Sequence, residues 1–207
     1  MVVLYYSANR EPIESKVTAH LQEVCSLPIV SVTQKPLKLG TNICVGDIGN
    51  SYRSEFVQIR NGLQAIDSEY VLVAEADTLY PPEYFEKRDF HNTCHRYSNV
   101  WVMWNTPKFH YKGLSHCAQA VNRQEWLERI DRYLHSWDDP RDKKKASRMQ
   151  FKCRQDGLWE GTAPVITLKT GCGVSRKTRT KKAVAPQNDL PYWGNAAQLL
   201  SSLYDDA

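Results

Sequence analysis

Between residues 2 and 104 the chain alternates short apolar runs with segments of helical period, and few folds accommodate that alternation. Residues 2–6 (VVLYY) read as a buried strand. Pro12, with Glu11 and Glu14 around it, marks a helix start, and Ile13, Val17, Leu21 and Val24 then recur on one face. Residues 28–33 (PIVSVT) and 43–45 predict two more strands, and Phe56, Ile59, Leu63 and Ile66 a second helix after the turn from Gly46 to Gly49. Residues 70–74 (YVLVA) and 100–104 (VWVMW) are further β-rich runs. Strands and helices taking turns predict an α/β fold with a mostly parallel central sheet flanked by helices. After Trp104 the pattern loosens: Trp126, Ile130, Tyr133 and Trp137 mark one amphipathic helix, residues 164–168 (PVITL) a last strand, and residues 196–203 a short C-terminal helix.

Composition limits the scale. With 207 residues, 42% of them hydrophobic, one sizeable core is affordable and two large domains are not. The net charge of +4 hides an uneven distribution. Residues 141–154 hold seven basic side chains (Arg141, Lys143, Lys144, Lys145, Arg148, Lys152, Arg154) against the single acid Asp142. Residues 176–182 hold five more (Arg176, Lys177, Arg179, Lys181, Lys182) and no acid. Removing these twelve cations and one acid from totals of 27 and 23 leaves 15 basic and 22 acidic residues elsewhere. The chain is therefore acidic but for two short basic segments, which read either as solvated loops or as a grip on a phosphate backbone.

Several function classes lose their support. The N-terminus has no basic stretch before its short apolar run, unlike a secretory signal, and no apolar stretch is long enough to span a bilayer, so a cytoplasmic protein is expected. The six cysteines form no C-x-x-C pair, as expected of reduced thiols. His91, Cys94, His95, His110, His116 and Cys117 do not match the spacing of a structural zinc site. No G-K-[ST] follows Gly46–Gly49, and G-x-G-x-x-G is absent, which removes the P-loop and dinucleotide signatures.

The segment around residues 70–85 carries the chemistry. A hydrophobic strand runs into Glu75-Ala76-Asp77 at what would be the carboxyl edge of the sheet, where open α/β sheets bind ligands. Residues two apart on an extended strand share a side, so Glu75 and Asp77 can share a hard cation such as Mg²⁺ or Mn²⁺ together with a substrate diphosphate. With Leu79, Tyr80, Pro81 and Pro82 following, the segment resembles the D-x-D-type motif of GT-A glycosyltransferases, above all small phage and bacterial members with E-x-D-x-L-Y-x-P after such a strand. The resemblance extends to Leu4-Tyr5-Tyr6-Ser7 with Asn9, to Gly40–Ile43 and Gly46, and to Gln58, Ile59, Gly62 and Leu63. It continues through Asn99–Trp101 and, more loosely, Trp159-Glu160 and residues 164–171.

That resemblance implies a single GT-A-like, Rossmann-like domain over residues 1–207, with residues 1–105 binding a nucleotide-sugar and 106–207 the acceptor. It implies transfer of a sugar, from a UDP-sugar by expectation, with Mn²⁺ or Mg²⁺ on Asp77 and Glu75. Tyr6, Ser7, Asn9, Gly46, Arg53, Gln58 and Lys169 would hold the donor. An inverting reaction also needs a carboxylate base, for which Glu160 is the candidate and Asp138 and Asp139 the rivals. Relatives tend to carry an R-H-G-like triplet whose histidine completes the metal shell, whereas this chain has Lys169-Thr170-Gly171. Water and diphosphate then complete the shell, or Lys169 neutralises the phosphates, or metal dependence is weak. Since phages glycosylate hydroxymethylated pyrimidines in their DNA, Lys143, Lys144, Lys145, Arg148, Lys152, Arg154, Arg176, Lys177 and Arg179 are expected to contact a double-stranded DNA acceptor, in host cytoplasm if the chain is phage-encoded. The alternatives are a glycan or small-molecule acceptor, or a DNA-binding protein or metal nuclease without sugar transfer.

Overall fold

The computed structural model describes residues 1–175 and 178–204. In chain order the elements are β1 (Val2–Ser7), α1 (Glu14–Val24), β2 (Ile29–Thr33), β3 (Thr41–Cys44), α2 (Tyr52–Ala65), β4 (Tyr70–Glu75), β5 (Thr78–Leu79), β6 (Cys94–Tyr97), β7 (Val100–Met103) and β8 (His110–Gly113). There follow β9 (Gln119–Asn122), α3 (Arg123–Leu134), α4 (Lys143–Met149), β10 (Leu158–Trp159), β11 (Val165–Leu168), β12 (Asp189–Leu190), β13 (Gly194–Asn195) and α5 (Ala196–Tyr204). The main sheet has seven strands in the order β10-β6-β9-β4-β1-β2-β3. Only β9 runs against its neighbours; β1, β2, β3 and β4 are all parallel.

The main sheet is covered on both faces, which is why its central strands are continuous apolar runs. On β1, Val3 and Tyr5 face a cluster with Leu21, Leu72, Ala74 and Tyr84, while Leu4 and Tyr6 face Phe56, Ile59 and Leu63 of α2. Helix α2 lies close on the sheet because Gly62 sits over Leu4, where a Cβ would come within 2.2 Å of Leu4 Cδ1. Its start is fixed by a capping box in which the Ser51 and Ser54 side chains each bond the other residue's backbone N–H.

The sequence places the runs at 100–104 and 164–168 beside the other strands of one sheet, and here the structure differs. Strands β7 and β11 pair with each other in a second, four-stranded sheet of order β5-β11-β7-β8, packed over Ile13, Val17 and α5. The far half of the main sheet is instead completed by β6 and β9, whose residues (CHRY and QAVN) show no apolar run. The polar side chains of His95 and Gln119 are nonetheless buried, each 1% exposed, and the His95 ring Nε2 accepts the backbone N–H groups of His91 and Asn92. Strand pairing crosses residue 105 repeatedly, β8 with β7, β9 with β4 and β11 with β5.

The first basic segment is not a plain loop. Asp142 caps α4 by accepting from Lys144 N and Lys145 N, and Ala146 and Met149 bury one side of the helix. Trp126 of α3 donates its indole N–H to Met149 O at 3.0 Å, which ties the basic helix to the body. Among the described residues no helix is long and apolar enough to cross a membrane.

Candidate active site

Because β1, β2 and β4 are parallel, their carboxyl ends open on one edge, and a cleft of about 400 Å³ lies there. Its floor is Tyr6 and Ser7 from β1, then Glu75 and Asp77. One wall is the start of α2, including Ser51, Tyr52 and Glu55. Opposite lie Thr167 and Lys169 at the end of β11, followed by Cys172, Gly173 and Val174. The outer rim is formed by Lys112 of β8, by Ser115 and His116 after it, and by Lys143, Ser147 and Gln150 of the α4 region.

The floor is held by hydrogen bonds. Tyr6 Oη donates to Glu75 Oε1 at 2.7 Å, and Glu75 N donates to Tyr80 Oη at 3.0 Å. Asp77 is engaged on every oxygen: Oδ1 accepts from Thr78 Oγ1 (3.0 Å), Oδ2 from Lys169 Nζ (2.9 Å) and the main-chain O from Leu168 N (2.6 Å). The strand ends at Glu75 and the chain turns through Ala76 and Asp77, so the two acids reach the cleft by way of a turn and not along an extended strand. Thr170 donates its hydroxyl to Glu11 Oε2, and Asn50 Nδ2 to Cys172 O at 2.9 Å, which fastens the segment after β11 to both other sides of the cleft.

Four carboxylates line this space, and they crowd one another. Burial, then the nearby Glu75 and Asp77 charges, push the Glu55 carboxyl up to about 8, with Lys169 pulling partly the other way. Burial followed by Asp77 likewise raises Glu75, opposed by the Tyr6 hydrogen bond. Burial also raises Glu11, against the Thr170 bond. Burial disfavours the Lys169 ammonium, but Asp77 outweighs it and holds that group above the ordinary lysine value.

A divalent cation finds no ready shell here. Both Asp77 carboxylate oxygens already have partners, Thr170 is turned to Glu11, and among the described residues no group of three His, Cys, Asp or Glu side chains converges. Where a shared cation was expected, an ammonium faces Asp77.

The remaining sequence candidates divide cleanly. Tyr6, Ser7, Gln58, Glu75, Asp77, Lys169 and Lys143 all line the cleft. Gln58 is 2% exposed and donates to Ser7 O (2.6 Å) and Val32 O (2.8 Å), so it locks two strand ends together. Asn9 and Gly46 lie off the lining: Asn9 Oδ1 accepts from Gln34 N and Lys35 N, while Gly46 makes a left-handed turn at φ 73°. Arg53 is exposed and gives its backbone N–H to Pro140 O. Glu160 is exposed beyond β10, at the far edge of the main sheet, and does not line the cleft. Asp138 is exposed, and Asp139 shapes the turn before α4 by accepting from Arg141 N and Asp142 N. Lys144, Arg148, Lys152, Arg154 and Arg179 are exposed, and Lys145 bonds Ser136 O. Arg176 and Lys177 lie outside the described residues.

Sequence reasoning missed Glu11, Glu55, Lys112 and His116. Glu55 stands four residues after the Ser51 cap, in the first turn of α2, and that offset was the available signal; Glu11 and His116 come from loops without a pattern, and Lys112 from the short, polar strand β8.

No protein-family model matches the chain, and no curated protein does. Among solved structures it is similar to the inositol-1-phosphate CTP transferase from T. maritima, at 11% identity and a TM-score of 0.47 over 100% of this chain and 97% of that one. It is also similar to a glycosyltransferase involved in the glycosylation of the major capsid of PBCV-1 (14% identity, TM-score 0.46, 84% and 94% covered). A third is the bifunctional IspDF from Campylobacter jejuni (16%, TM-score 0.42, 77% of this chain), of whose length the present chain spans about half, 49%. The α/β architecture itself rests on the strand order and register given above.

Proposed function

We propose that this chain is a glycosyltransferase that moves a sugar from a nucleotide-sugar, a UDP-sugar by preference, to a hydroxyl acceptor. The observation that carries the reading is the joined Tyr6–Glu75 and Asp77–Lys169 arrangement at the carboxyl ends of parallel strands, inside a cleft large enough for such a donor. In this reading the nucleoside lies against Ser7 and the Gly49–Tyr52 wall, the diphosphate near Lys169, and the sugar under Glu55. The acceptor oxygen forms a bond to the anomeric carbon while the bond from that carbon to the diphosphate oxygen breaks, the electron pair leaving with the diphosphate. The acceptor proton passes to a carboxylate, and Glu55 is the better placed base: it lines the cleft, as Glu160, Asp138 and Asp139 do not, and in its ionised form, which predominates above about pH 8, its raised basicity favours taking the proton.

For the acceptor, the supporting observation is that α4 carries the basic segment to the rim, with Lys143, Ser147 and Gln150 on the cleft and Lys144 and Arg148 exposed beside it. A phosphate backbone bound along that helix would deliver a hydroxyl to the cleft, and a hydroxymethylated base in double-stranded DNA, flipped from the stack, fits that delivery. The test is incubation with labelled UDP-glucose and plain, hydroxymethylcytosine or hydroxymethyluracil DNA, with saccharides as parallel acceptors. Label in the modified DNA alone is expected. Label only in saccharides sinks the DNA acceptor, and no transfer or donor hydrolysis with any nucleotide-sugar sinks the glycosyltransferase.

A further inference from the structure

We propose that the Lys169 ammonium, held on Asp77, is itself the counter-charge for the departing diphosphate, standing where a divalent cation would stand, so that turnover requires no metal. This rests on the glycosyltransferase reading and names the residue that performs its charge neutralisation.

The ammonium is fixed by main chain on both sides. Strand β11 lies between β5 and β7, and around the pair Leu168 N donates to Asp77 O (2.6 Å) and Lys169 N to Met103 O (2.9 Å). The Lys169–Asp77 distance is thus set by sheet pairing, with side chains only 13% and 12% exposed. A pair so shielded is screened little by salt, and its orientation needs no rearrangement as charge develops. An ammonium has three N–H donors, and Asp77 takes one at Oδ2, which leaves donors for phosphate oxygens.

Several competing donors at this edge are already committed. At the start of α2, Ser54 N donates to Ser51 Oγ, Arg53 N to Pro140 O and Glu55 N to Ser51 O, so these amides are already committed. The hydroxyl of Thr170 is on Glu11, and that of Tyr6 is on Glu75 Oε1. Of the other cationic side chains on the lining, Arg10 pairs with Asp47 at 3.7 Å, Lys112 donates to Ser115 Oγ at 2.7 Å and Lys143 is exposed, whereas Lys169 meets the floor beside the two acids.

The experiment uses the full chain, stripped with EDTA, and compares donor hydrolysis and transfer in EDTA with those in Mn²⁺ or Mg²⁺. Turnover in EDTA is expected within about twofold of the metal-supplemented rate, as expected if a protein-held cation carries the stabilisation. Lys169→Met should lose kcat by about 10²-fold or more, and Lys169→Arg should recover most of it. UDP binding in EDTA, measured by calorimetry, should weaken about tenfold or more in Lys169→Met, a readout separate from chemistry. Cooperative melting of the variant, near the wild-type midpoint, verifies folding. Turnover that vanishes in EDTA and returns with Mn²⁺ overturns the inference while leaving the glycosyltransferase standing. Unchanged UDP binding and kcat in a folded Lys169→Met overturn it as well. No turnover of any nucleotide-sugar under either condition removes the underlying reading, and this inference with it.

Discussion

Replacing Glu55 with glutamine removes a carboxyl whose pKa is about 8 in the folded protein against an ordinary 4.5. Because folding raises this value, the folded state holds the proton more tightly than the unfolded chain. The cost to stability is therefore absent well below 4.5, grows as the pH climbs between the two values, and is complete above about 8. One pKa unit is about 1.4 kcal/mol, so the gap sets a ceiling of about 5 kcal/mol. Glu55 is partly exposed, and screening by solvent brings the expected change between pH 5 and pH 8 to about 2 kcal/mol. Glutamine has nearly the same shape and no such dependence. In a chain of this size about 1 kcal/mol moves the melting midpoint by roughly 2–4 °C. Glu55→Gln should thus melt roughly 4–8 °C above the wild type at pH 8 and close to it at pH 5, followed by circular dichroism in matched buffers. An offset that is the same at both pH values, or a wild type that gains on the variant as pH rises, refutes the electrostatic reasoning. The same variant should lose kcat with KM nearly unchanged, so stabilisation and inactivation arrive together.

Three further substitutions test the scaffold and the basic helix. Gln58→Leu strands the Ser7 and Val32 carbonyls under α2 and should cost about 2–4 kcal/mol in urea unfolding; a loss below about 0.5 kcal/mol would show that those bonds are dispensable. Gly62→Ala drives a methyl to 2.2 Å from Leu4 Cδ1 and 3.0 Å from Val32 Cγ2. Overpacking of about 1–3 kcal/mol, less a helix-propensity gain of about 1 kcal/mol, should leave a net loss, and equal or higher stability contradicts it. Neutralising Lys143, Lys144 and Lys145 together should weaken DNA binding and flatten its salt dependence, as read from titrations across ionic strength; an unchanged slope removes the helix from the interface.

What could be read beforehand followed from local pattern. The strands β1 and β4 are buried on both faces, so their sequences are long apolar runs, and the acids at the end of β4 stand out because they interrupt one. Helix α2 was legible for the complementary reason: Phe56, Ile59 and Leu63 must meet the sheet on one side. Strands β6 and β9 were hidden because His95 and Gln119 are buried by their neighbours, a tertiary decision with no periodic trace. The basic helix was hidden by its own charge, since seven residues with two buried side chains barely register a period. At the site, Lys169 was recognisable only as a departure from a motif; its partner required knowing that β11 pairs with β5, the strand that begins just after Asp77.

That last adjacency has a mechanical consequence. The chain leaves the large sheet at Glu75 and enters the small one at Thr78, so Ala76 and Asp77 form the crease between two layers. Any molecule gripped by Lys169 and the floor acids at once spans that crease as a rivet spans a seam. Occupancy of the cleft should then slow amide exchange in strands of both layers together, even in those that never touch the bound molecule.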